Sequence, residues 1–149
     1  VIDYIEDNRK SIDYYVRAIQ SKPYVFERHY LPHDGRHANL ATGKTIQEIV
    51  EGFGLRVEIV PQIGIDNGIN AVRMAMPNVW IDENKCKEGI KALEYYHYET
   101  DKNGNRRNIP AHDWSSHGCD AFRYMAVAFK ESVKHKPIKK AYVQHGWMG

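Results

Sequence analysis

Cysteine is scarce in this chain: Cys86 and Cys119 are the only two in 149 residues, they stand far apart, and neither has a Cys-x-x-Cys partner. That argues against a disulfide framework or a thiolate zinc site and leads us to expect reduced thiols in a cytoplasmic setting. Long apolar runs are missing too. None approaches the roughly 18 residues that a membrane-crossing helix needs, so no membrane partner is expected, and no signal peptide is read at Val1. Charge of one sign is also lacking, since 21 Lys and Arg stand against 19 Asp and Glu, so bulk charge does not announce a nucleic-acid binder. There is no internal repeat and no low-complexity segment. A phosphate loop is excluded as well, because Gly43-Lys44-Thr45 would need a glycine where Ala38 stands.

What is present reads as one α/β domain of ordinary composition, 42% hydrophobic and 27% charged. A strand is expected over 1–5 and a helix over 11–20, with Ile12, Tyr15, Val16 and Ile19 as its apolar stripe. A strand over 24–30 ends in the turn Leu31-Pro32-His33-Asp34-Gly35. A short helix over 45–52 buries Ile46, Ile49 and Val50, and a strand over 56–60 stops at Pro61. Helical pattern returns over 65–75, an extended piece follows at 78–82, and a helix over 84–96 leads into aromatic strand formers around Asn103-Gly104, a β-hairpin signal. The last helix is expected over 117–133, with Ser115 or Ser116 as N-cap and Ala121, Phe122, Met125, Ala126 and Phe129 at helical spacing.

On this reading Asp120 lies in the first turn of the last helix, where the helix dipole favours a carboxylate. Asp34 sits in the loop after a strand, the position where α/β sheets build sites. If the two meet, they offer hard oxygen ligands suited to Mg²⁺ or Mn²⁺ and to in-line phosphodiester hydrolysis. His33 and His117 stand next to these acids as candidate second-layer groups that orient water or phosphate. Asp113 is either a further ligand or a turn acid. His29, His33 and His37 recur every four residues, but Pro32 and Gly35 break the helix that would align them for zinc. Lys44 at a helix start, with Arg106 and Arg107 at the expected hairpin tip, are candidate contacts to DNA phosphates. Lys130, Lys134, Lys136, Lys139 and Lys140 make residues 130–149 a basic tail, either a phosphate-binding cluster or a solvated end.

Three segments carry a family resemblance: Tyr30-Leu31-Pro32-His33-Asp34, then Gly68-Ile69-Asn70-Ala71-Val72-Arg73, then His112-Asp113-Trp114-Ser115-Ser116-His117-Gly118-Cys119-Asp120-Ala121-Phe122-Arg123-Tyr124. Together they resemble the nuclease domain of the large terminase subunit of tailed bacteriophages and prophages. The last motif is the most specific and the Gly-Ile-Asn segment the weakest. The resemblance implies a ribonuclease H-like mixed sheet flanked by helices. It also implies a two-metal endonuclease that cuts concatemeric double-stranded DNA during packaging. The implied partners are an upstream ATPase domain of the same protein, the small terminase subunit and the portal, all in the bacterial host cytoplasm.

The chain departs from that family at its start. Such domains open with a strand bearing a first catalytic aspartate in an Asp-x-Gly context, followed by a second strand, and neither is found here. Residues 1–5 look like the third strand, so the chain reads as an N-terminally truncated, partial nuclease domain that supplies two of three acids and is a weak nuclease alone. Asp3, Glu6 and Asp7 are candidate substitutes, although acids at a strand end commonly form a solvated helix-capping region. Two other functions fit the same residues. One is a catalytically silent docking or oligomerisation piece of the packaging motor that uses an exposed sheet edge. The other is a junction-resolving nuclease of the same fold.

Overall fold

A computed structural model describes residues 1–38, 40 and 42–134, with side chains up to 129. It is a mixed α/β chain in the order α1 (Ile12–Gln20), β1 (His29–Leu31), α2 (Ile46–Gly52), β2 (Val57–Ile59), α3 (Ile65–Ala75), α4 (Lys87–Tyr95), β3 (Tyr98–Thr100), β4 (Arg106–Pro110) and α5 (Trp114–Lys134). Among the described residues, no helix is long and apolar enough to cross a membrane.

The strands are shorter than the sequence suggests. β1 and β2 pair in parallel with His29 beside Val57, Tyr30 beside Glu58 and Leu31 beside Ile59. β3 and β4 form a separate antiparallel ribbon with an irregular register between Tyr98 and Thr100. A run of strand-forming residues becomes a ladder only where another backbone pairs with it. Residues 24–28 have no such neighbour, and Val25 stands fully exposed, so the expected strand over 24–30 shrinks to its last part. The expected strand over 1–5 is likewise absent. One rung remains of it: the Val1 amino group donates to the Trp80 carbonyl, and the Asp82 amide donates to the Val1 carbonyl at 2.9 Å.

The helices follow their caps. α2 starts with a complete capping box, in which Thr45 Oγ1 accepts from the Glu48 amide at 3.0 Å and the Glu48 carboxylate accepts from the Thr45 amide at 2.8 Å. Thr45 is therefore the cap. α4 starts later than expected because Asp82 Oδ1 accepts from the amides of Asn84 and Lys85, which folds 83–86 into a turn.

α5 starts earlier than expected. Its cap is Asp113, whose Oδ1 accepts from the Ser115 amide at 2.9 Å and the Ser115 hydroxyl at 2.6 Å. The Ser116 hydroxyl donates to the Asp113 carbonyl at 2.7 Å. Both serines are buried inside the first turn instead of capping it, so the helix begins at Trp114 and Asp120 lies beyond the first turn. The dipole argument for Asp120 is therefore withdrawn. α5 also runs on through residues 130–134, which corrects the expected start of the basic tail. Lys136, Lys139 and Lys140 lie outside the described residues.

α5 is the element around which the rest packs. Ala126, Val127 and Ala128 join Val60 and Ala71 in the main core, with Tyr30, Ile63, Val72, Ala75 and Tyr124 around them. Small residues let neighbouring parts come close to α5. A Cβ on Gly68 of α3 would stand 2.3 Å from Cδ of Arg123, and one on Gly118 would stand 2.6 Å from the Tyr4 hydroxyl.

Candidate functional site

A cleft of about 1190 Å³ runs between residues 25–34 and one face of α5. His117, Asp120, Ala121, Tyr124 and Ala128 line it from the helix, at the spacing that puts them on one stripe. Asp34 lines it from the other wall, on the 3₁₀ turn His33–Arg36 that follows β1. The two acids singled out in the sequence thus face one cavity.

Tyr124 also lines the cleft and registers both carboxylates. Its phenol is pushed above its ordinary value first by burial, with Asp34 and Asp120 adding to the rise and Arg123 opposing it. The Tyr124 hydroxyl and His33 Nδ1 are 3.1 Å apart. His33 is therefore tied to α5 and steadies the turn that carries Asp34.

Asp120 is bound on one side only. Its Oδ1 accepts from the Arg123 guanidinium at 2.8 Å, and the carboxylate keeps 42% of its exposure. Arg123 is held in turn by the close approach of Gly68. Gly68 and Arg123 both lie in the motifs quoted above, but their contact depends on how α3 crosses α5. His117 is exposed on the cleft, with its ring 5.7 Å from that of His112.

Other groups set the charge of the cavity. Glu27 and Glu58 also line it, and Arg28 bridges them at 3.2 and 2.8 Å. Glu58 and then Glu27 raise the Arg28 guanidinium above its ordinary value, so that side chain stays cationic. Four carboxylates against one lining arginine make walls that attract a cation and repel a bare phosphate chain.

Asp113 is not in this cleft. Its carboxylate is occupied by the α5 cap, and His97 Nδ1 lies 3.9 Å from its other oxygen. The signal for this role was present in the sequence, because aspartate is as good an N-cap as serine. Asp3, Glu6 and Asp7 are also engaged elsewhere, with Lys22, Tyr4 and Tyr14 respectively. Among the described residues, no three His, Cys, Asp or Glu side chains gather closely enough to hold an ion.

The expected hairpin forms as β3 and β4. Tyr96, just before it, is raised above its ordinary value by burial and then by the Asp120 charge, with Arg123 opposing. Arg106 and Arg107 begin β4 instead of occupying the tip, which is 101–105. Arg107 pairs with Glu99 at 3.0 Å, and the Arg106 guanidinium lies 3.8 Å over the Tyr98 ring. Lys44 is exposed, and its amide lies 3.4 Å from Thr42 Oγ1.

Both thiols are free and buried, in agreement with the sequence reading. Burial, then Asp120 and Asp113, pushes the Cys119 thiol up to about 11. Comparison with protein-family models, with curated proteins and with solved structures gives no match for this chain.

Proposed function

We propose that this chain is part of a metal-dependent DNA endonuclease of the terminase large-subunit type, built on a ribonuclease H-like sheet. The observation that carries the reading is that Asp34 and Asp120, remote in sequence, line one cleft and both act on Tyr124.

The donor set fits Mg²⁺ or Mn²⁺ in kind, being hard carboxylate oxygens that water can reach, and falls short in number. Asp34 and the Asp120 oxygen not engaged by Arg123 would be the ligands. Two bound ions supply a reactive water and charge neutralisation at the leaving oxygen. The chain's own groups have separate tasks. Arg123 fixes the Asp120 rotamer, and the Tyr124–His33 bond fixes the turn that bears Asp34. His117 offers a proton-carrying group at the cleft. The acidic walls keep DNA out until cations are present, while Lys44, Arg106 and Arg107 contact backbone phosphates without reading bases.

Mn²⁺ titration followed by electron paramagnetic resonance tests this reading. Uptake is expected in the wild-type chain and lost in Asp34→Asn and Asp120→Asn, with unchanged circular dichroism. In the complete subunit the same changes should abolish plasmid nicking. Equal uptake by wild type and both variants, with nicking retained, rejects the site.

A second reading, a docking piece for the portal, the small subunit or another copy of the chain, is favoured by one observation. The two-stranded parallel sheet ends beside exposed Val25 and Phe26, an arrangement that a further strand would cover. A tight oligomer on size exclusion with no Mn²⁺ uptake would favour docking over cleavage.

A further inference from the structure

We propose that Tyr95 and Trp114 form a platform on which unpaired bases of a DNA strand stack. DNA as the polymer rests on the nuclease reading, while the platform itself rests on its own geometry.

Tyr95 is the last residue of α4 and Trp114 the first of α5. They remain 60% and 52% exposed, and their ring centroids lie 5.2 Å apart at 42°. His97 adds a third ring, 6.0 Å from Tyr95 and edge-on to it. The backbone that carries these rings is hydrogen-bonded before any ligand arrives. Trp114 sits on the turn capped by Asp113, Tyr95 ends a helix closed by the Tyr96 amide on the Ala92 carbonyl, and the Ala111 amide donates to the His97 carbonyl between them. Little backbone ordering entropy therefore remains to be lost on binding.

Charge and position favour a nucleic-acid strand. On the hairpin, Glu99 is matched by Arg107, and the Asp101 carboxylate turns back onto the amides of Asn103 and Asn105. Lys102 and Arg106 are left without a carboxylate partner among the described residues, so the neighbouring ribbon presents cations to phosphates. Tyr96 faces Asp120 and Arg123, and its sequence neighbour Tyr95 joins the Trp114 and His97 rings. Trp114 lies one turn before His117, which lines the cleft, so a strand leaving the cleft at that end of α5 would meet the ring pair.

Bases inside a duplex are covered by their neighbours, so flat rings of this kind engage unpaired bases. The platform therefore predicts a preference for single strands, with little dependence on sequence because every base has a stacking face.

The test is fluorescence anisotropy of a labelled oligothymidylate and of a duplex of equal length, in EDTA so that nothing is cleaved. The proteins are the wild-type chain, Tyr95→Ser, Tyr95→Phe and Trp114→Leu. The wild type should prefer the single strand. Tyr95→Ser and Trp114→Leu should each weaken that binding about tenfold, Tyr95→Phe should retain it, and duplex binding should not change. If Trp114→Leu fails to fold by circular dichroism, the Tyr95→Ser and Tyr95→Phe pair decides. No single-strand preference, no binding at all, or equal binding by Tyr95→Ser and wild type overturns the platform. Tyr95→Ser separates the two proposals, since it should weaken oligothymidylate binding and leave Mn²⁺ uptake intact.

Discussion

The hydroxyl of Tyr124 on α5 and Nδ1 of His33 on the turn after β1 stand 3.1 Å apart, one bond joining the two walls that carry Asp120 and Asp34. Either partner is able to donate in this bond, and the tautomer of His33 goes with the direction. Tyr124→Phe should cost about 1 kcal/mol and let both His33 tautomers appear in ¹⁵N spectra. A single unchanged tautomer in the variant would show that the bond does not set it.

Gly68→Ala should destabilise the protein, although alanine favours helices. The new methyl would meet Arg123 Cδ at 2.3 Å and Cγ at 2.6 Å, so the side chain must leave Asp120 or α3 must move. A loss of about 1–3 kcal/mol is expected for such overpacking, read from urea denaturation. A gain in stability would mean that the two helices part freely.

Acid should loosen the start of α5. Ser115 holds the Asp113 carboxyl below the ordinary carboxylate range, first through its hydroxyl and then through its amide. The folded value is depressed, so the cap's contribution is present above the unfolded value and fades as pH falls through the folded one. Asp113→Asn keeps a capping oxygen but does not titrate. Its helical circular dichroism should fall less steeply than that of the wild type in this acid window, and identical profiles would assign the transition to other groups.

Native Cys119 should resist alkylation. With its thiol at about 11, roughly one molecule in a thousand carries the thiolate at pH 8. Iodoacetamide should label it only after denaturation. Rapid labelling in buffer would show that the α4–α5 packing opens.

Much of this arrangement is legible in the residues. The helix over 65–75 is found with those bounds because a stripe of apolar residues follows Gly64 and Ile65. The convergence of Asp34 and Asp120 on one cavity was readable from a strand-end turn and a helix motif. Other features are set by partners that no local pattern specifies. Strand length over 24–30 depends on which backbone lies alongside, and the close approach of Gly68 to Arg123 depends on how α3 crosses α5. The start of α5 was misjudged for another reason: Asp113, Ser115 and Ser116 are all able to cap, and only the fold decides which one does.

α5 places Trp114 and Asp120 on one uninterrupted rod, six residues or about 9 Å apart along its axis. A rod that stiff transmits displacement instead of absorbing it. On the proposed nuclease reading, pulling on a strand seated at the aromatic end would shift the acidic position with it, so load on that strand would reach Asp120 through a single helix.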